Sequence, residues 1–150
     1  IIMANSTQYA KTVAASPSKI STTELAGRVR IAYADFTAAG AQETINMFKL
    51  PNGARIIGGR VNHVALGNST QLSIGHAAYV KADETAVAAD VDEYKAAAGS
   101  NSVTSFNIAN TTLLGENSVV DSPDGLIVTA TTSGGDATGK LEVQMTYVLD

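Results

Sequence analysis

The chain predicts an all-β fold: a jelly-roll-like β-sandwich of about eight strands, with one short helical insertion and an extended N-terminal arm. Three observations predict it. Segments with two-residue alternation recur, most clearly at the end, where Leu141, Val143, Met145, Tyr147 and Leu149 face one way and Lys140, Glu142, Gln144, Thr146 and Val148 the other. Turn-forming clusters punctuate these segments, among them Pro51-Asn52-Gly53, Gly67-Asn68-Ser69 and Ser122-Pro123-Asp124-Gly125. The residues are 45% hydrophobic but only 5% aromatic, with no Trp, and small or β-branched side chains suit thin, closely packed sheets. The Cys and Trp hallmarks of an immunoglobulin-like sandwich are missing, which leaves the jelly roll as the eight-stranded version we expect.

A chain of 150 residues fits one domain and can bury roughly 68–70% of the surface its unfolded form exposes. With no cysteine, disulfides and thiolate metal sites are excluded and packing alone must hold the fold. We divide the chain into an arm at 1–24 and a sandwich domain at 25–150. Ile1 and Ile2 precede Met3 and read as residues upstream of a natural start. From Met3 to Glu24 the sequence is mostly Ser, Thr, Ala and Lys, with neither a helical nor a strand period. Alone it cannot bury enough apolar surface to offset its ordering entropy. It is either an unattached tail or an arm lying across a neighbouring subunit, with Tyr9, Val13, Pro17 and Ile20 as sparse anchors.

Arg28 to Tyr33 alternates polar and apolar residues, predicting a half-buried strand with Val29, Ile31 and Tyr33 inward. After a loop at Asp35 to Gly40, Gln42 to Leu50 resumes strand character with Ile45 and Met47 on one face. The stretch from Leu50 to Leu66 organises the rest. Its Pro-Asn-Gly turn feeds a long strand, and the Gly58-Gly59 pair marks a bend, a bulge, a close backbone approach or a passage between sheets. Gly67 to Thr70 predicts a hairpin into a strand at Gln71 to Gly75, followed by a short strand at Ala77 to Val80. Asp83 to Gly99 then breaks the β pattern. Val87, Val91, Tyr94 and Ala98 recur at helical spacing between a capping Asp83 and a terminal Gly99, predicting the helical insertion. Strands return at Val103 to Ala109, Thr111 to Glu116, Gly125 to Thr132 and Gly139 to Leu149, and Gly134-Gly135 predicts a hairpin between the last two.

Charged residues make up 16% of the chain, against about 25% in typical soluble domains. Such a polar, weakly charged surface suits a protein that works against another protein. Residues 1–60 carry seven Lys or Arg and three acids, whereas 61–150 carry three Lys and eleven acids. The resulting net charge of −4 argues against nucleic acid as a partner, which calls for a basic stripe and stacking aromatics. No apolar run is long enough to cross a bilayer as a helix, and the N-terminus has neither the basic nor the apolar region of a secretory signal, so a membrane partner is not expected.

Motifs that could carry chemistry fail on mechanism. Gly134 to Lys140 satisfies the first seven positions of a phosphate-binding P-loop, but Leu141 stands where the magnesium-holding Ser or Thr belongs and opens a strand instead of a helix. His63 and His76 have no metal-ligand spacing, and His63 reads as a solvent-side or interface residue. Asp90-Val91-Asp92-Glu93 lacks the Gly and distal Glu of a calcium loop and reads as a solvated face. Sugar hydrolysis would call for aromatic platforms that this chain scarcely supplies. No catalytic set, metal site or cofactor is therefore expected, and we read the protein as non-enzymatic.

Leu50 to Gly59, Leu72 to Gly75, Tyr79 to Ala89 and Thr138 to Val143 on through Tyr147 together resemble the decoration, or cement, proteins of tailed-bacteriophage heads. The resemblance spans Arg28 to the end and leaves the arm uncovered. It implies a jelly-roll virion protein, made in the host cytoplasm, that binds the outside of the expanded head and clamps adjacent copies of the major capsid protein. It also implies self-association, as a homotrimer or a homodimer. On this reading Tyr9, Lys11, Val13, Pro17, Lys19, Ile20, Arg28 and Arg30 form the interface with the shell or a neighbouring subunit. The alternatives are a carbohydrate-binding jelly roll with a shallow cleft and exposed Tyr, and a tail or fibre component.

Overall fold

The computed structural model describes residues 28–109 and 118–149. The expected arm at 1–24 and the expected strand at 111–116 lie outside the described residues. Ten strands run in order: β1 (Arg28–Ala41), β2 (Thr44–Leu50), β3 (Arg55–His63), β4 (Gln71–His76), β5 (Tyr79–Val80), β6 (Ala86–Val87), β7 (Asp90–Gly99), β8 (Thr104–Ile108), β9 (Leu126–Ser133) and β10 (Ala137–Leu149). Eight of them make two four-stranded sheets, ordered β1-β10-β3-β8 and β2-β9-β4-β7, and β5 and β6 form a small separate ribbon. All pairings are antiparallel and nested: β1 with β10, β2 with β9, β3 with β8, β4 with β7. A long hairpin of four such pairs rolled into two facing sheets is the connectivity of a jelly roll.

The alternation of β10 appears as expected. Leu141, Val143 and Met145 are fully buried, and Tyr147 and Leu149 pack against the core from the rim. The facing sheet contributes Ile45, Leu50, Leu72, Ile74, Leu126, Val128 and Ala130, so the sandwich interior is mainly aliphatic, with Tyr94 the one Tyr or Phe buried within it among the described residues.

The parity of β1 is the reverse of expectation. Ala32, Ala34 and Phe36 sit opposite Met145, Val143 and Leu141, and directly opposite residues in an antiparallel pair share a face. The core row of β10 therefore pulls the small even-numbered residues of β1 inward and turns Val29, Ile31 and Tyr33 outward. The β1 strand also continues through the expected loop, to Ala41.

No helix occurs at Asp83 to Gly99. The Asp83 carboxylate accepts the Thr85 amide at 3.0 Å in the turn between β5 and β6, and Asp90 to Gly99 is the edge strand β7. Its ten residues face the six of β4 with two register shifts, between Ile74 and each of its flanking pairs. Bulges of this kind destroy a two-residue period and leave the apolar residues at spacings that imitate a helix. Tyr94 is the one fully buried side chain in that segment, too narrow a stripe to hold a helix on the sheet.

Two expected hairpins are corners between sheets. Gly67 to Thr70 leads from β3 to β4 and Gly134 to Asp136 from β9 to β10, and each pair of strands lies in opposite sheets. The corners stack on one another, so a Cβ on Gly135 would lie 2.7 Å from the Asn68 carbonyl oxygen. A buried polar knot ties them to the β7–β8 connection: the Thr70 hydroxyl donates to the Gly67 carbonyl at 2.7 Å and accepts the Ser100 hydroxyl at 2.9 Å.

The two expected turns occur at the other connections. Gly53 and Gly125 take φ of 82° and 85°, and the Asn52 side chain accepts the Ser122 amide at 3.0 Å, joining the turns. The Gly58-Gly59 pair marks a bulge at Ile57, between the Thr146–Gly58 and Tyr147–Ile56 pairs, and β3 stays in one sheet. Gly59 is a close approach: a Cβ there would lie 2.6 Å from the Gln144 carbonyl oxygen and 2.8 Å from Ile108 Cγ1. We predict that Gly59→Ala lowers unfolding free energy by about 1–3 kcal/mol in urea titrations. Gly99→Ala, where a Cβ meets nothing within 4 Å, should change it by no more than about 0.5 kcal/mol.

Candidate functional site

The parity of β1 creates the main surface feature. Val29, Ile31 and Tyr33 are 62%, 65% and 53% exposed, a row of three large apolar side chains on one strand. Val148, opposite Val29 on β10, is buried, so the exposed row is confined to β1. The β1 strand is an edge, paired among the described residues with β10 alone. Arg28 and Arg30 lie on the other face of its exposed start, so two of the expected interface residues share the end of the strand that carries the row. Tyr9, Lys11, Val13, Pro17, Lys19 and Ile20 lie outside the described residues.

Further along the same face the row becomes charged. Lys140 Nζ sits 3.1 Å from Asp35 Oδ2 and 3.2 Å from Glu142 Oε1, and its hydrogen bonds to these carboxylates, Asp35 first, raise its pKa. Partial desolvation, followed by the charge and hydrogen bond of Glu142, raises the Tyr33 phenol. Exposed pairs of this kind contribute little stability; their effect is to bound the apolar row on one side with polar groups.

Concavities lie beside this polar boundary and at other places on the sandwich. A cleft of about 520 Å³ is lined by Asn62, Val64, Val103, Ser105, Lys140 and Glu142 among others. Arg60 Nε donates to Ser105 Oγ at 2.7 Å and to Asn62 Oδ1 at 3.3 Å, so these groups already have partners. No Tyr or Phe lines the cleft, which leaves it without the stacking platform expected of a sugar site. Another, about 80 Å³, lies among His76, Tyr79, Tyr94, Glu93 and Asp121.

His63 is not a solvent-side residue. It lies two residues beyond the buried Val61, on the inner face of β3, and is 4% exposed. Its Nδ1 is 2.7 Å from the Val64 carbonyl oxygen; a carbonyl only accepts, so Nδ1 carries the proton. The ring meets Phe106 edge-on. His76 repeats the pattern on the Ala77 carbonyl and packs edge-on to Tyr79 and Tyr94. Among the described residues no group of three or more His, Asp or Glu is placed to hold a metal ion. Gly134 to Lys140 runs into β10, so the P-loop match has no helix behind it.

The chain matches no protein-family model and no curated protein. Solved structures do match, along nearly the whole chain. A chain in the cyanophage Pam1 capsid asymmetric unit aligns over 100% of both chains with a TM-score of 0.63 and 18% identity. One in the capsid of Ralstonia phage GP4 aligns over 94% of both, with a TM-score of 0.62 and 19% identity. One in the acidic stable capsid of Helicobacter pylori bacteriophage KHP30 covers 81% of this chain and 87% of its own, with a TM-score of 0.56 and 18% identity. The fold of this chain is thus one that occurs in phage capsids.

The face assignment of β1 is testable by stability. Measured at dilutions where unfolding does not depend on protein concentration, Ile31→Ser should change unfolding free energy by no more than about 0.5 kcal/mol, whereas Leu141→Ala should cost about 2–5 kcal/mol; a large loss from Ile31→Ser under those conditions would reverse the assignment. Burial, ahead of the charges of Glu93, Tyr79 and Asp90, raises the Tyr94 phenol. The folded state then holds this proton more tightly than the unfolded state. The contribution is complete below about pH 10 and falls above it by up to about 1.4 kcal/mol per pH unit. Thermal unfolding from pH 9 to 11 should be less steeply pH-dependent in Tyr94→Phe than in the wild type.

Proposed function

We propose that this protein is a structural virion component, a cement protein that binds the outside of an expanded phage head and clamps neighbouring major capsid proteins. The observation that carries this reading is the end-to-end likeness to a chain of matching extent in a phage capsid asymmetric unit. Two further capsid chains of the same fold add to it. Because all three likenesses are to capsids, they favour a head component over a tail or fibre one.

Physical features of the chain agree with this role. The apolar row on β1 is surface a solitary soluble domain has little reason to present. Binding at many equivalent positions multiplies a modest contact, so each interface can be small. The basic first part of the chain, with Lys11, Lys19, Arg28 and Arg30, faces the shell or a neighbouring subunit, and the acidic remainder keeps the outer surface soluble. The protein assembles as a homotrimer or homodimer, is made in the host cytoplasm and acts without catalysis.

The test is co-sedimentation of the purified protein with expanded, undecorated phage heads, followed by heat or low-salt challenge. Saturable binding that raises particle stability is the expected result; a well-folded protein that binds no head would contradict the proposal. Deleting residues 3–24 should abolish binding and leave the circular dichroism of the sandwich unchanged. Full retention of binding would remove the arm from the interface.

A further inference from the structure

We propose that the protein pairs with a second copy of itself through β1, antiparallel about a two-fold axis at Ile31, merging two four-stranded sheets into one of eight strands. This is read in solution and holds or fails apart from the capsid reading.

The β1 strand is fourteen residues long and pairs among the described residues with β10 alone. Of the devices that keep edge strands apart, this edge carries only the charged residues Arg28, Arg30 and Asp35. Between Arg28 and Ala41 there is no Pro and no Lys, and its register shift lies at the far end, between Ala39 and Ala41. A straight edge with an exposed apolar row is a template for another strand.

The order of side chains specifies which strand and which register. In an isologous antiparallel pair each contact occurs twice, and opposite residues share a face. Centring on Ile31 puts Ile31 against Ile31 of the second copy and Val29 against its Tyr33, so all three apolar residues of both copies find apolar partners. On the other face, Arg30 and Arg28 meet Ala32 and Ala34 of the second copy, small residues that leave room for the guanidinium stems. The neighbouring registers fail. Centring on Arg30 opposes two guanidinium groups, and centring on Ala32 sets Val29 against the Asp35 carboxylate. A one-residue slip would turn the row to the wrong face. The strand is thus self-complementary in one register.

The chain has no cysteine, so single substitutions give clean cross-linking reporters. At the two-fold, Ile31→Cys would bring two Cα atoms about 4.5–5.5 Å apart, within disulfide reach. Val29→Cys, on the same face and as exposed, would stand about 13 Å from its counterpart. The full-length Ile31→Cys protein should oxidise to a species of doubled mass on a non-reducing gel, and Val29→Cys should stay single. The wild type should sediment as a dimer, and Ile31→Lys, which opposes two ammonium groups at the axis, should halve that mass with unchanged circular dichroism. A monomeric wild type, or equal cross-linking of the two cysteine variants, would overturn the proposal.

Discussion

Strand β10 lies between β1 and β3, and its unbroken alternation sets the parity of both. Leu141, Val143 and Met145 bury aliphatic side chains that together contribute several kcal/mol if exposed surface is the reference, at roughly 1.5–3 kcal/mol each. No neighbour can outvote that row. Its register sends Ala32, Ala34 and Phe36 of β1 into the sandwich and leaves Val29, Ile31 and Tyr33 on the surface. The apolar surface row is therefore a consequence of how the core is filled, and the strand that carries it is an edge because β10 has only two sides.

The nested pairing makes the connections do demanding work, because most of them must cross from one sheet to the other. Where the two corners near Gly67 and Gly134 stack, there is no volume for a side chain at Gly135, and the Thr70–Ser100 hydroxyl pair satisfies polar groups that burial would otherwise leave stranded. At another pair of connections the Asn52 side chain joins two turns seventy positions apart in sequence. These contacts are long-range throughout, as the rolled-up hairpin requires.

The strands and turns were legible where local chemistry decides them: the alternation of β10, the turns at Gly53 and Gly125, and the bulge beside Gly58. The inversion of β1 was not, because Val29, Ile31 and Tyr33 alternate as well as any core row and only the register against β10 reveals which face is inside. Bulges disguised β7 as a helix, since each extra residue shifts the apolar spacing away from two. The corners at Gly67 and Gly134 carry the same glycines and small polar residues that hairpins do, and sheet membership is a property of pairing, invisible in a turn. His63 followed the parity of Val61 inward. Arg28 and Arg30 share the exposed start of β1 with the apolar row, whose exposure local pattern hid by placing it in the core.

The outer face of the β1-β10-β3-β8 sheet carries both the exposed apolar row of β1 and, further along, the cleft around Asn62, Ser105, Lys140 and Glu142, and the proposed protein contact uses the row. Amide hydrogen exchange, compared between the isolated protein diluted until it sediments as a monomer and the protein loaded on undecorated phage heads, tests this most directly. The account predicts added protection at Arg28 to Asp35 of β1 and none at Asn62 to Val64 or Val103 to Ser105. Protection at those cleft residues, with β1 exchanging as it does in the isolated protein, would contradict it.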